Sequence, residues 1–525
     1  MPKWVCAVDV GTRSARAGIF DAGGVLLGRG EHPVTLHEPA PGRAEHSSED
    51  IWLAVCAAVR QAKRASGIAA EEIVGIAFDA TCSLVVRGAD GRPMPVGDAP
   101  DRDTIAWLDH RAMAEAAECT ATGHPVLKFV GGVMSPEMQI PKAMWLKRHL
   151  PGIWERTGLL FDLADFLTWR SSGSTARSLC TTTCKWTFLA HEAEGWRQDF
   201  LDLVGVPDLL DKAGLPARPS PVGADLGPLT VQAAADLGLP QNCRVAAGMV
   251  DAFAGALGVF GWRALDAQAS AGRAILVAGT SSCVMAMQHQ PLRLAGFWGP
   301  YSGPTLPGVW MTEGGQSATG ALLDHIVKVH GAGGEPPAER HRAIAARVAE
   351  LRAAEGEDFG RRLHVLPDFH GNRSPLAEPA ALGVISGLSL DASFDGLCRL
   401  YWRTCVGIAL GVRQIVEAMR VAGQPVDTLH VTGGHTKNPL LMELYADATG
   451  CRLVEPALDE GVLFGTAMAA ATGAGLFETL AAAALAMRPR ERERSPDPSL
   501  RAAYDRDYRI FLEMQRQRRV IEGMG

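Results

Sequence analysis

The chain has 525 residues, a formal net charge of −7 and 11 cysteines. That length exceeds what one hydrophobic core serves and predicts two large domains, while a mild charge with scattered Lys and Arg gives no surface for nucleic acid or an anionic membrane. Eleven dispersed cysteines without a paired CxxC spacing exclude a disulfide framework and a structural zinc site, and predict the reduced thiols of a cytoplasmic enzyme. Met1-Pro2-Lys3 leads into a short apolar run broken at Asp9, which is not a signal-peptide pattern. No apolar stretch approaches the ~18 residues of a bilayer span.

The first half alternates strands and helices. Val5–Val10, Arg16–Phe20 and Val25–Arg29 read as a three-strand meander, with Asp21-Ala22-Gly23-Gly24 turning between the last two. Ser47-Ser48-Glu49-Asp50 starts a helix whose apolar positions Ile51, Val55 and Val59 keep helical spacing. Ile73–Phe78 reads as a buried strand, followed by Asp79-Ala80-Thr81-Cys82-Ser83 and a further strand Leu84–Arg87. Strands, helix and strand in this order predict a mixed sheet flanked by helices. A second series follows Val245–Asp251, and the boundary is set at 252/253, dividing the chain into residues 1–252 and 253–525. In the second part a strand ends Met311-Thr312-Glu313-Gly314-Gly315-Gln316, loops are read at 331–337 and 371–379, and helices at Ala338–Ala354 and Phe394–Ala422. Leu429–Gly434 is a strand ending in a glycine pair before the helix Pro439–Thr449. Ala481–Ala486 is a short buried helix, and the charged run Arg488–Arg494 a solvated linker.

Two of these turns share one design. Val5 to Ser14 contains Asp9-Val10-Gly11-Thr12-Arg13-Ser14, and Ile275 to Ser282 contains Gly279-Thr280-Ser281-Ser282. Strand, Gly-Thr turn and strand can aim backbone N–H groups and hydroxyls at a phosphate. Only the first carries a carboxylate, Asp9; Val277 stands at the equivalent place in the second, an asymmetry that suits a metal ion at one jaw. The chain has no Gly-Lys dipeptide, hence no Walker A loop, and no GxGxxG after a strand.

With these turns in place, the residues resemble the FGGY carbohydrate kinases, a branch of the sugar kinase/Hsp70/actin fold. Asp9–Ser14 is similar to the family's first phosphate segment and Gly279–Ser282 to its second. His430-Val431-Thr432-Gly433-Gly434-His435-Thr436-Lys437-Asn438 is similar to its adenosine segment, and Gly248-Met249-Val250-Asp251-Ala252 to its catalytic segment. Four segments in order over the whole chain imply a two-lobed α/β actin-like ATPase, each lobe a mixed sheet flanked by helices. Phe78–Ser83, Leu108-Asp109-His110-Arg111-Ala112, Ser135–Lys142 and Thr312–Ser317 resemble the ribulokinase subgroup, nearest D-ribulokinase. Phe253 departs from the histidine that many relatives carry after the catalytic Asp-Ala.

The resemblance implies ATP-dependent phosphorylation of a pentulose terminal hydroxyl, D-ribulose first, with ribitol and L-ribulose as alternatives. A non-catalytic actin-like nucleotide switch is the rival from another class. Asp251, ending a strand and opening a helix, is the candidate base; the competing reading is a helix-capping aspartate. Asp9 would act on Mg²⁺, against a turn aspartate bonding its own backbone. Thr12, Arg13, Ser14, Gly279, Thr280 and Ser281 would take phosphates, and Gly433, Gly434 and Asn438 the adenosine. Ala80 through its backbone, Cys82, Lys185, Asp251 and Glu313 form the sugar set, with Cys82 also readable as a packed thiol and Lys185 as a surface lysine. The expected partners are ATP, Mg²⁺, a small sugar or polyol and, by the habit of relatives, a second copy of the chain.

Overall fold

The structure, a computed structural model, describes residues 3–356, 359–458 and 460–524. Its first large sheet runs in the order Asp225–Pro228, Arg244–Ala246, Ile73–Ala80, Trp4–Val10, Ser14–Asp21 and Leu26–Pro33, with Met249–Val250 also paired to Ile73–Ala80. The meander expected near the start is present and antiparallel. Trp4–Val10 and Ile73–Ala80 are parallel neighbours, buried almost throughout, as their unbroken apolar sequences require. The helix Ser48–Ser66 begins where read: Ser47 accepts from the Asp50 amide, Gly67 ends it in the left-handed region, and Ile51, Val55 and Val59 face inward with Trp52.

A second large sheet has the order Trp298–Ser302, Trp310–Gln316, Ser282–Gln288, Arg273–Ala278, Thr428–Thr432, Arg452–Pro456 and Glu491–Arg494. Leu84–Gly88 belongs to a separate five-stranded antiparallel sheet, between Thr104–Ile105 and Thr157–Asp162. The run Arg488–Arg494, read as a linker, is corrected: Glu491–Arg494 is an edge strand antiparallel to Arg452–Pro456. Its alternating Arg and Glu leave an edge that resists further pairing, and Glu491 is fixed by Arg263. Ala481–Ala486 lies in a helix, Leu480–Ala486, that buries Leu480, Ala483 and Ala484.

The helices Asp251–Phe260 and Gly461–Gly473 cross with almost no side chain between them. A Cβ on Gly258 would stand 2.3 Å from the Gly461 carbonyl oxygen, and one on Gly465 would stand 2.0 Å from that of Ala254. Glycine is required there by the approach of two backbones. Phe253 is fully buried on the first of these helices, its ring 6.2 Å from that of Tyr301. All eleven cysteines are free and buried, and among the described residues no helix is long and apolar enough to cross a membrane.

Candidate active site

Three aspartates meet at the carboxyl ends of three adjacent strands. Asp9 is paired in register with Asp79, and Asp79 with Met249, two residues before Asp251. The carboxyl ends of parallel strands are where open α/β sheets bind ligands. Asp9 is buried and takes an Arg16 guanidinium NH at 2.9 Å. Asp79 is completely buried; burial, then Asp9 and Asp251, push its carboxyl far up, against a hydrogen bond donated by Thr466. Its other oxygen has no hydrogen-bond partner. Asp251 is the first residue of its helix, with Val250 at the N-cap, and its Oδ1 accepts only from the adjoining Ala252 amide at 2.7 Å. Burial, then the charge of Asp9, raise the Asp251 carboxyl to about 6.

A second group of side chains carries alternating charge. Lys185 ends the helix Leu179–Lys185, whose start is fixed by Ser178 at the N-cap and by Asp165, which accepts from the Ser178 amide and the Thr181 hydroxyl. Lys185 is buried, not a surface lysine, and its ammonium lies 4.2 Å from the centre of the Trp298 ring. Burial opposes its charge, but Cys82, Glu313 and Glu137 outweigh that and hold the ammonium above its ordinary value. Glu313 is buried in the middle of the strand Trp310–Gln316 rather than at its end. Its Oε1 accepts from Cys283 Sγ at 3.1 Å and lies 3.7 Å from Arg373. Arg373 pairs with Glu137 at 3.1 Å and stands over Trp298 at 4.7 Å. Burial acts to raise the Glu137 carboxyl; Arg373 and then Lys185 prevail and hold it below its usual value. Cys82 is a packed thiol, pushed up to about 11 by burial despite Lys185. Ala80 closes its strand beside Val10 and Val250.

The phosphate turns differ in what they leave open. In the first, Gly11 donates to the Ser14 carbonyl, Thr12 accepts from the Trp107 indole at 2.9 Å, and Arg13 extends outward, 3.6 Å from Glu38. In the second, the carbonyls of Gly279 and Thr280 accept from the amides of Thr319, Gly320 and Ala321 at the start of the helix Gly320–Val329, so the Thr280 side chain and Ser281 face outward. Val277 packs against Gly255, as an apolar residue can and an aspartate could not. Gly433 has φ +95°, and a Cβ there would stand 2.4 Å from the Ala278 carbonyl oxygen, so this turn touches the second phosphate turn directly. Space beside Gly434 is open. Asn438 caps the helix Pro439–Thr449 through its carbonyl oxygen and donates to the Tyr401 hydroxyl.

The chain matches the profile of the FGGY family of carbohydrate kinases, N-terminal domain, over residues 4–258, and that of the C-terminal domain over residues 274–474. It belongs to the FGGY carbohydrate kinases. An FGGY carbohydrate kinase domain-containing protein of Danio rerio is 41% identical over 100% of both chains. A D-ribulokinase of Saccharomyces cerevisiae is 36% identical over 91% of this chain and 72% of its own. The ligand-bound xylulose kinase from Lactobacillus acidophilus superposes with a TM-score of 0.78 at 19% identity, covering 98% of each chain. That likeness establishes the two-lobed actin-like fold.

The candidate site of this FGGY kinase contains residues that the sequence did not single out. Asp79 stands inside the sugar segment Phe78–Ser83; its pairing with Asp9 follows only from strand register. Glu137 lies in the segment Ser135–Lys142 without a role of its own there, and Arg373 in a stretch read only as loop. That loop is fastened from behind: Asn372 donates to Asp368, Ser374 donates to the Gly296 carbonyl, and Arg518 and Arg519 of the last helix, Arg501–Glu522, pair with Asp368 and Glu378. Trp107, whose backbone carbonyl accepts from the buried Lys142, joins the same group.

Beneath the sugar segment, Gln139 donates to both the Cys82 carbonyl and Asp162 Oδ2. Asp162 is completely buried, and burial, then Asp165, raise its carboxyl to about 8. The folded chain therefore holds a proton there that the unfolded chain, with a carboxylate pKa of ~3.9, releases, so this group costs more stability as pH rises from about 4 to about 8. Asp162→Asn is isosteric and neutral. Thermal melts should show its advantage over the wild type widening from pH 5 to pH 8 and constant above; a variant that loses ground with rising pH would contradict the assignment.

Proposed function

We propose that this kinase transfers the γ-phosphoryl group of ATP to the terminal hydroxyl of a pentulose, with D-ribulose the preferred acceptor. The observation that carries the reading is Asp251: a carboxylate raised to about 6, at the meeting of the aspartate group and the pocket of Lys185, Glu137, Glu313 and Arg373. A base near neutrality accepts the hydroxyl proton as the sugar oxygen bonds phosphorus and the bond to the β-phosphate oxygen breaks, releasing ADP. The alternating cations and carboxylates suit a polyhydroxylated acceptor, which offers donors and acceptors in turn. The D-ribulokinase relative favours D-ribulose over ribitol and L-ribulose. A nucleotide switch without catalysis has no use for this second, buried polar pocket.

Thr12, Arg13 and Ser14 are assigned to one side of the phosphates and Gly279, Thr280 and Ser281 to the other, with Gly433, Gly434 and Asn438 toward the adenosine. The lobes are taken as residues 1–252 and 253–525. Asp9 is the assigned ligand of Mg²⁺. It fits a hard cation, being a buried carboxylate whose charge raises the carboxyls of Asp79 and Asp251. Among the described residues no set of three or more His, Cys, Asp or Glu is arranged to hold a metal alone. A cation here would thus draw on phosphate and water, and when bound would supply charge neutralisation on the phosphates. Eleven free, buried cysteines support a reducing, cytoplasmic setting.

An ADP-coupled assay over D-ribulose, L-ribulose, ribitol, D-xylulose and hexoses should give the highest kcat/KM with D-ribulose. No turnover with any of them would sink the kinase reading, and a higher value for another sugar would replace the acceptor.

A further inference from the structure

We propose that Arg373 reads the ketone oxygen of an open-chain ketose and so distinguishes a ketose from the polyol of the same configuration. The inference rests on the pentulose-kinase reading of the site and adds to it the group by which the acceptor is recognised.

The Arg373 side chain is only 6% exposed. A guanidinium has only donors to offer. One terminal nitrogen faces both Glu137 oxygens, at 3.1 and 3.4 Å; the other lies 3.6 Å from Cys283 Sγ and 3.7 Å from Glu313. Nε is buried without a partner. The plane is held over Trp298 and, at 5.7 Å, faces Trp107. Gly315 makes the room: a Cβ there would stand 3.0 Å from the nearer terminal nitrogen. The backbone is pinned as well, Ser374 donating to the Gly315 carbonyl.

Three of the four nearby carboxylate oxygens are already engaged. Glu313 Oε1 takes the Cys283 thiol and faces Arg373, and both Glu137 oxygens face Arg373. A carbonyl oxygen arriving here accepts from the fork and brings no proton of its own. A hydroxyl at the same carbon can also accept from the fork, but it brings a proton that needs an acceptor among carboxylate oxygens already facing Arg373 or the Cys283 thiol. Sites built around one hydrogen-bonding group reject the analogue that mismatches it far more strongly than apolar pockets do. Glu313 acts electrostatically on Asp251 and lies 3.7 Å from Arg373, and so links the proposed base to the guanidinium.

The test uses the full chain with D-ribulose and ribitol. KM and kcat for D-ribulose are measured beside the inhibition constant of ribitol against D-ribulose, in wild type, Arg373→Lys and Arg373→Gln. Lysine keeps the buried charge and the Glu137 pair but not the planar fork, so it remains informative if the glutamine variant fails to fold. The expected result is a rise of tenfold or more in KM for D-ribulose, with the ribitol constant within threefold of wild type. Parallel changes in the two constants, or no change in either, would overturn the proposal and leave Arg373 a lobe-joining ion pair. A wild type without turnover on any sugar would remove the kinase reading itself.

Discussion

Asp251→Asn should lower kcat by about 10²–10⁴-fold, the range removed with a general base, while leaving KM for the sugar within a few-fold. On the proposed reading the ionised carboxylate is the active form, and burial with Asp9 raises its pKa to about 6. Activity should therefore climb as pH rises through about 6 and level above it, and the residual rate of the variant should lack that step. Stability runs the other way. A raised carboxylate pKa means the folded state binds the extra proton between about 4 and 6, so the ionised Asp251 weakens the fold above that window. The asparagine variant should accordingly melt no lower than wild type at pH 7.5. A variant that keeps near wild-type turnover, or loses turnover together with its melting transition, would remove Asp251 from the role of base.

Gly465→Val should produce the largest loss of stability. Its Cβ would stand 2.0 Å from the Ala254 carbonyl oxygen and 2.9 Å from the Gly258 nitrogen, both backbone atoms that no rotamer change can move aside. Ordinary overpacking costs ~1–3 kcal/mol, and a forced separation of two helices exceeds it. At roughly 2 °C per kcal/mol for a lobe of this size, the melting temperature should fall by roughly 6 °C or more. Activity should fall with it, because Thr466, the next residue, holds Asp79. Gly434→Ala, where a Cβ meets open space, is the control and should melt like wild type. A Gly465→Val protein melting within a degree of wild type would show that the crossing yields more easily than its geometry indicates.

Local signals carried much of the fold. The three-strand meander, the Ser47 cap, the Asp251 helix and the span Pro439–Thr449 follow from periodicity, capping residues and proline placement. The charged strand Glu491–Arg494 was hidden because an edge strand needs no apolar face, so its composition reads as linker. The candidate site divides in the same way. Asp9, Asp251 and the two Gly-Thr turns announce themselves by the strand and glycine around them. Arg373 and Glu137 do not: one lies in a proline-containing loop, the other in a short connector, and they meet across 236 residues of sequence. Asp79 belongs to the sugar segment, but its raised pKa arises from burial beside Asp9, which no single segment records.

The loop bearing Arg373 is fastened by Arg518 and Arg519, beyond residue 474 where the family match ends. These arginines are synthesised after every group they hold. A chain still emerging from the ribosome has Asp251 and both Gly-Thr turns long before that loop can be tied down. On the proposed reading of Arg373, sugar recognition therefore waits on the helix Arg501–Glu522.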